Sequence, residues 1–151
     1  IQTAGNIFVS QKFSDTEIEA IIRLEIEKYK TRFEGSSEGF INNWPASYNI
    51  SGWLVSMQSG GKLDSHMHDA GWISGSIYIN VPPKARPDSG NLVVCSSDEK
   101  HVTSVEERQE NSVDVVTGTL CLFPSSLHHY TVPFEDAENR IVLAFDVIPR
   151  K

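Results

Sequence analysis

Residues 63–80 read "LDSHMHDAGWISGSIYIN", which sets two histidines, His66 and His68, one residue apart and then runs into a strand-like segment. Along 73–79, Ile73, Gly75, Ile77 and Ile79 share one side of that segment, whereas Ser74, Ser76 and Tyr78 share the other. On a strand, residues i and i+2 point the same way, so both imidazoles can reach one ion at the ~2.0–2.1 Å of a metal–nitrogen bond. A His-x-His pair beside a polar strand face therefore raises a metal site, and a further ligand has to come from elsewhere in the chain.

A second histidine pair lies about sixty residues downstream, at His128 and His129. Neighbours on a strand face opposite sides, so one of this pair is a candidate ligand and the other a bystander. Beyond them, Ile141, Leu143, Phe145 and Val147 give the segment 140–147 one bulky apolar side, while Arg140, Val142, Ala144 and Asp146 make the other side small except at its ends. Two strands with one bulky and one small or polar face suit the walls of a barrel whose interior is open to a ligand. The competing reading is a polar face that simply meets water.

Further strand-like runs are "GWLVSMQ" (52–58), "NLVVC" (91–95), "VDVV" (113–116) and "TLCLF" (119–123), separated by Gly, Pro, Asp and Ser. The acidic "SSDEK" and "VEERQEN" read as solvated loops. One helix signal precedes them. Ser14-Asp-Thr-Glu17 is a capping box, Ile18, Ile21, Ile22, Glu25 and Tyr29 follow at helical spacing, and Lys28, Lys30 and Arg32 load the positive end. The spacing predicts a helix over about 15–33 packed outside a barrel core of about 50–149, in one domain covering 1–151. The chain begins at Ile1, as a trimmed chain or the C-terminal piece of something longer would.

The 151 residues are enough for a single core, and 39% hydrophobic and 22% charged content describe an ordinary globular chain. A formal charge of −7 argues against a phosphate-backbone binder, so no nucleic-acid partner is expected. No apolar run reaches the length of a membrane span, no signal-peptide pattern opens the chain, and a cytoplasmic location is expected. Cys95 and Cys121 sit in apolar runs and read as free thiols in a reducing compartment. Cys121 reads as core rather than nucleophile, and Trp53 and Trp72 as flanking the pocket.

Two resemblances follow from these motifs. Gly60 followed by His66-x-His68, then Gly118, Pro124, Ser126 and His129, is similar to the paired motif of the cupin superfamily, although no glutamate stands at the first motif's spacing. "HMHDAGWISGSIYIN", "GTLCLFPSSLHHYTVPF" and "RIVLAFDVIP" resemble the iron(II)- and 2-oxoglutarate-dependent oxygenases, over about residues 50–149. In that family the first motif is more often His-x-Asp, whose carboxylate completes a 2-His-1-carboxylate triad. His68 departs from it, and Asp64 and Asp69 are the nearby stand-ins.

The oxygenase resemblance implies a mainly β fold, a cupin-like double-stranded β-helix (jelly roll) with the helix outside. It implies Fe(II) held by His66, His68 and His129, because the family's distal histidine precedes a proline by four residues and Pro133 stands four after His129. It further implies that Arg140 and Tyr78 (in Tyr78-Ile79-Asn80), with Ser74 on the same face, bind the co-substrate 2-oxoglutarate. Guanidinium suits that task because its planar fork meets a carboxylate bidentately. The expected reaction uses O2 to hydroxylate an unidentified substrate, a protein side chain or a small metabolite. A cupin-type metalloenzyme without 2-oxoglutarate would use the same histidines and leave Arg140 facing solvent or Glu138, and a non-catalytic binding barrel is the third reading.

Overall fold

In the computed structural model, which describes residues 1–9, 17–96 and 109–151, seven strands form two antiparallel sheets. These are β1 (Tyr48–Met57), β2 (Ile73–Asn80), β3 (Leu92–Cys95), β4 (Glu110–Val113), β5 (Leu120–Pro124), β6 (His128–Thr131) and β7 (Arg140–Pro149). The larger sheet runs β1-β7-β2-β5 and the smaller β4-β3-β6. This is the expected mainly β, double-stranded β-helix architecture. The segment expected as a strand at 113–116 contributes only Val113; the ladder with β3 uses Glu110–Val113 instead, a stretch read from sequence as loop. Strand β6 carries the two histidines read as strand neighbours, although its bounds were not marked in the sequence.

Strand β7 organises the larger sheet because it pairs with β1 on one side and β2 on the other. Its two faces separate as the alternation predicts. Leu143, Phe145 and Val147 turn outward into a cluster with Ile73, Ile50, Phe8 and the helix, whereas Val142 packs between the sheets with Tyr78, Leu92 and Phe123. Fully burying such side chains stabilises by about 1.5–3 kcal/mol each, so the outer face of β7 anchors the helix. Gly75 faces Phe145 across the ladder, and a Cβ there would fall 2.3 Å from the Phe145 Cζ. The missing side chain is the room the ring occupies.

Helix α1 (Glu17–Arg32) covers that outer face, with Lys30 and Arg32 in its last turn. Ile22 and Ile26 are fully buried, and Tyr29 packs beside them. The stripe is therefore Ile22-Ile26-Tyr29 rather than one including Ile21, which is 52% exposed. The first three residues of the capping box lie outside the described residues, as does most of the acidic 96–111 region. A short helix α2 (Gly39–Asn42) adds Phe40, whose ring stacks on Trp72 at 5.3 Å. Both cysteines are free. Among the described residues, no helix is long and apolar enough to cross a membrane.

Candidate active site

Between the sheets lies a cavity of about 280 Å3, walled by Trp53, Val55 and Met57 of β1, by the small or polar faces of β2 and β7, and by residues of β3, β5 and β6. Ser74, Ser76, Tyr78, Arg140, Val142 and Ala144 all line it. The polar faces noted in the sequence thus turn inward, not to bulk water.

At one end three imidazoles converge. Residues 58–72 are not a regular strand, so the pairing of His66 with His68 does not come from strand alternation alone. His66 forms a lone bridge to His129, each amide donating to the other's carbonyl (3.1 and 2.8 Å), and the His68 amide donates to the Ser125 carbonyl at 3.1 Å. These backbone bonds fix the loop on the start of β6 and the turn before it. The ring centroids stand 4.3 Å apart for His66 and His129, 5.2 Å for His66 and His68, and 5.0 Å for His68 and His129. One ring nitrogen from each lies within 4.8 Å of the others.

The hydrogen bonds select the same tautomer three times. His66 Nδ1 meets the Asp64 carbonyl at 2.7 Å, His129 Nδ1 the Leu127 carbonyl at 3.3 Å, and His68 Nδ1 the Asp146 carboxylate at 2.7 Å. All three partners are acceptors, so Nδ1 carries the proton and Nε2 keeps its lone pair. Burial, and next the charge of His66, push the His129 pKa down to about 4, which keeps it neutral. Three imidazole donors suit a divalent first-row ion such as Fe(II), Zn(II) or Ni(II).

Neither aspartate stand-in joins this group. Asp64 has its side chain 84% exposed and paired with Lys62 at 2.9 Å, and the lysine holds its carboxyl below the usual range. Asp69 is exposed. His128 lies outside the group as the bystander expected, its backbone opposite Cys95. The carboxylate near the group is Asp146, on β7 directly across from Ser74. Alternation placed Asp146 on the inner face, but nothing in the linear sequence tied it to His68, seventy-eight positions away. Ser125 was also missed.

Ser74 donates to Asp146 Oδ1 at 2.7 Å, exchanges a 2.8 Å bond with the Ser125 hydroxyl and lies 3.2 Å from His68 Nδ1. Its hydroxyl thus serves the histidine end. Asn80 makes its hydrogen bonds with the Asn139 carbonyl and Glu138, so of the Tyr-x-Asn pair only the tyrosine lines the cavity.

At the other end Arg140 is 3% exposed and Tyr78 1%. The Arg140 Cζ sits 5.3 Å from the centre of the Tyr78 ring. Among the described residues its one side-chain contact of hydrogen-bond type is a 4.0 Å approach to the Met57 sulfur, and Nε has no partner. The Tyr78 hydroxyl makes no well-formed hydrogen bond either, the nearby Ser76 side chain included. Burial lowers the Arg140 pKa and raises that of Tyr78. No acid among the described residues pairs with this guanidinium. A buried cation without a counter-charge costs several kcal/mol unless an anion arrives. Ser74 and Tyr78 stand four steps apart along β2, about 13 Å of backbone, so the histidines and the guanidinium occupy opposite ends of the cavity.

Trp53 lines the cavity 5.8 Å from the His68 ring. Trp72 does not flank it: its ring belongs to the outer cluster against Phe40. Strand parity does not govern this position: Trp72 precedes β2, and its ring turns to the same outer cluster as its neighbour Ile73. Cys121 packs beside Tyr78, and burial pushes its thiol up to about 11. At that value it stays protonated, as core.

Comparison with known proteins bears on this arrangement. The family profile of the 2OG-Fe(II) oxygenases matches residues 51–146, a span that holds the three histidines, Tyr78 and Arg140. No curated protein matches the chain by sequence. Among solved structures, a prolyl-4-hydroxylase from Pseudomonas putida is 16% identical, with a TM-score of 0.60 over 91% of this chain and 68% of that one. A viral collagen prolyl hydroxylase from Paramecium Bursaria Chlorella virus-1, in complex with 2OG, is 12% identical, with a TM-score of 0.60 over 99% and 79%. An oxidoreductase of the 2OG-Fe(II) oxygenase family from Burkholderia pseudomallei is 19% identical, with a TM-score of 0.53 over 88% of this chain and 56% of that one. The chain thus spans little more than half of the Burkholderia protein. These likenesses show a shared fold. The profile match, over more than half of the sequence, shows the family: the chain belongs to the 2OG-Fe(II) oxygenases.

Proposed function

We propose that this oxygenase hydroxylates its substrate with Fe(II) held by His66, His68 and His129 and with 2-oxoglutarate held by Arg140 and Tyr78, all within one domain formed by the barrel and α1. The observation that carries the reading is the pairing of two unsatisfied ends in one cavity. Three imidazoles converge at the first end, and at the second a buried guanidinium has no acid partner among the described residues. A small dianion with one carboxylate at each end satisfies both. Bound iron would supply oxygen activation and the oxidising power that couples decarboxylation of 2-oxoglutarate to hydroxylation.

The chain's own residues bind and orient. Arg140 offers a planar fork to the distal carboxylate, and the Tyr78 hydroxyl adds a donor, so that the co-substrate's other end is aimed at the histidines. Val142, Ala144 and Phe123 keep that path apolar. A cupin-type reading without 2-oxoglutarate requires Arg140 to face solvent or Glu138. It is buried, and Glu138 approaches Asn80 instead. The test is anaerobic loading with Fe(II), then aerobic conversion of 2-oxoglutarate to succinate, with and without prolyl or aspartyl peptides and small metabolites. Iron-dependent succinate formation is expected; a wild-type protein that neither binds nor turns over 2-oxoglutarate would sink the reading.

A further inference from the structure

His66 and His129 rest their Nδ1–H groups on backbone carbonyls, but His68 rests on a carboxylate. That carboxylate sits in a built setting. Asp146 Oδ1 accepts from His68 Nδ1 and from Ser74 Oγ, both at 2.7 Å, and Ser125 Oγ lies 2.8 Å behind Ser74. Ser74 is 2% exposed and Ser125 fully buried, so neither hydroxyl is held by chance contact with solvent. Because Asp146 can only accept, the donors run in one sense: Ser125 to Ser74, Ser74 to Asp146, and His68 to Asp146. Gly71 leaves space for this hub, since a Cβ there would lie 2.4 Å from Ser125 Oγ and 3.5 Å from the Asp146 carboxyl carbon. The loop is tied to the hub as well, by His68 N–H to the Ser125 carbonyl and Ser125 N–H to the Trp72 carbonyl.

We infer that Asp146 is a positioning residue for the metal: it locks His68 in the Nδ1–H tautomer and lends the imidazole negative charge that none of the three ligand side chains carries. The inference rests on the assignment of the histidines as metal ligands. A carboxylate that accepts the Nδ1 proton makes the imidazole a stronger donor at Nε2. The metal then binds more tightly, and the more highly charged oxidation state of iron is favoured over the lower one. Ser74 and Ser125 hold the carboxylate in line, so its charge is directed through one ring and not spread into solvent.

The test uses the whole protein and two variants: Asp146→Asn keeps an acceptor oxygen for His68 and removes the charge, and Asp146→Ala removes both. Fe(II) and Co(II) affinities are measured anaerobically by chelator competition, the Co(II) visible spectrum is recorded, and the midpoint potential of bound iron is read by mediated redox titration. The variants are expected to bind either ion about 10–100-fold more weakly, with the iron potential displaced upward and the Co(II) bands shifted. A purely packing role would leave the near-isosteric Asp146→Asn with wild-type affinity and potential, and that result overturns the proposal while leaving the three-histidine site intact. A wild-type protein that binds neither ion overturns both this inference and the functional reading beneath it.

Discussion

The Arg140 guanidinium lies over the Tyr78 ring, 5.3 Å from its centroid, and among the described residues neither the Arg140 Nε nor the Tyr78 hydroxyl makes a well-formed hydrogen bond. Both polar groups are buried at the same end of the cavity. If they receive a carboxylate, Arg140→Ala leaves that carboxylate without its partner, which costs roughly 2–5 kcal/mol, or about 30-fold to several-thousand-fold in 2-oxoglutarate affinity. Arg140→Lys recovers part of the loss, because ammonium offers charge without the fork. Fe(II) affinity is unchanged in both. Titration of 2-oxoglutarate into the iron-loaded proteins checks this, and equal affinities for wild type and Arg140→Ala would remove the assignment.

Tyr78→Phe separates binding from stability. In the ligand-free protein the hydroxyl is a buried group without a bond, so its removal is neutral or slightly stabilising. With 2-oxoglutarate bound, the same change deletes a donor to a charged acceptor, worth about 1.5–3 kcal/mol. The expected pattern is an unchanged or raised Tm and a co-substrate affinity lowered by one to two orders of magnitude, read by thermal unfolding and by titration. A Tyr78→Phe protein that loses stability and keeps its affinity would show that the hydroxyl has a structural partner instead.

How much of this was legible beforehand divides along a physical line. The inner and outer faces of β2 and β7 followed from alternation, because side-chain parity is a local property of a strand. His129 was separable from His128 only through the proline four residues on, and the three histidines met as expected. What escaped was set by tertiary contact: Asp146 beside His68, the burial of Ile26 in place of Ile21, and the outward turn of Trp72. Strand β6 was used only to separate its two histidines and was given no bounds, because a four-residue run is too short to show alternation and is held by pairing with β3. Local pattern does not encode which distant carboxylate a ring will meet.

Gly75 and Phe145 give a stability prediction away from the chemistry. A Cβ at position 75 would lie 2.3 Å from Phe145 Cζ and 2.9 Å from the Leu122 Cδ2, inside a fully buried cluster. Gly75→Ala is therefore expected to destabilise by about 1–3 kcal/mol through overpacking. Phe145→Leu alone leaves a void and is also destabilising. In the double variant the alanine methyl occupies part of that void, so the total cost falls below the sum of the two single costs. Denaturant unfolding of the four proteins gives the coupling, and strict additivity would show that the ring does not depend on the missing side chain.

Acid should act on the metal-free protein through His129. Its pKa is pushed down to about 4 by burial first and by the charge of His66 second, while in the unfolded chain it is near the ordinary 6.5. Between these values the unfolded state binds a proton that the folded state refuses, so stability falls as pH drops from about 6.5 to about 4. Above this window both states are neutral, and below it both are charged, so the contribution of this residue is flat on either side. A displacement of that size corresponds to about 3 kcal/mol between the two limits. His129→Leu removes the dependence and flattens the profile of unfolding free energy against pH over this range. Metal loading raises stability by RT ln(1 + [metal]/Kd), about 2.7 kcal/mol at a hundredfold excess over Kd. That gain also fades as pH falls, because ligation requires neutral imidazoles. Chemical unfolding from pH 7.5 to 4, with and without Fe(II) under anaerobic conditions, measures both terms, and a wild-type profile no steeper than that of His129→Leu would show that His129 is protonated in the folded protein.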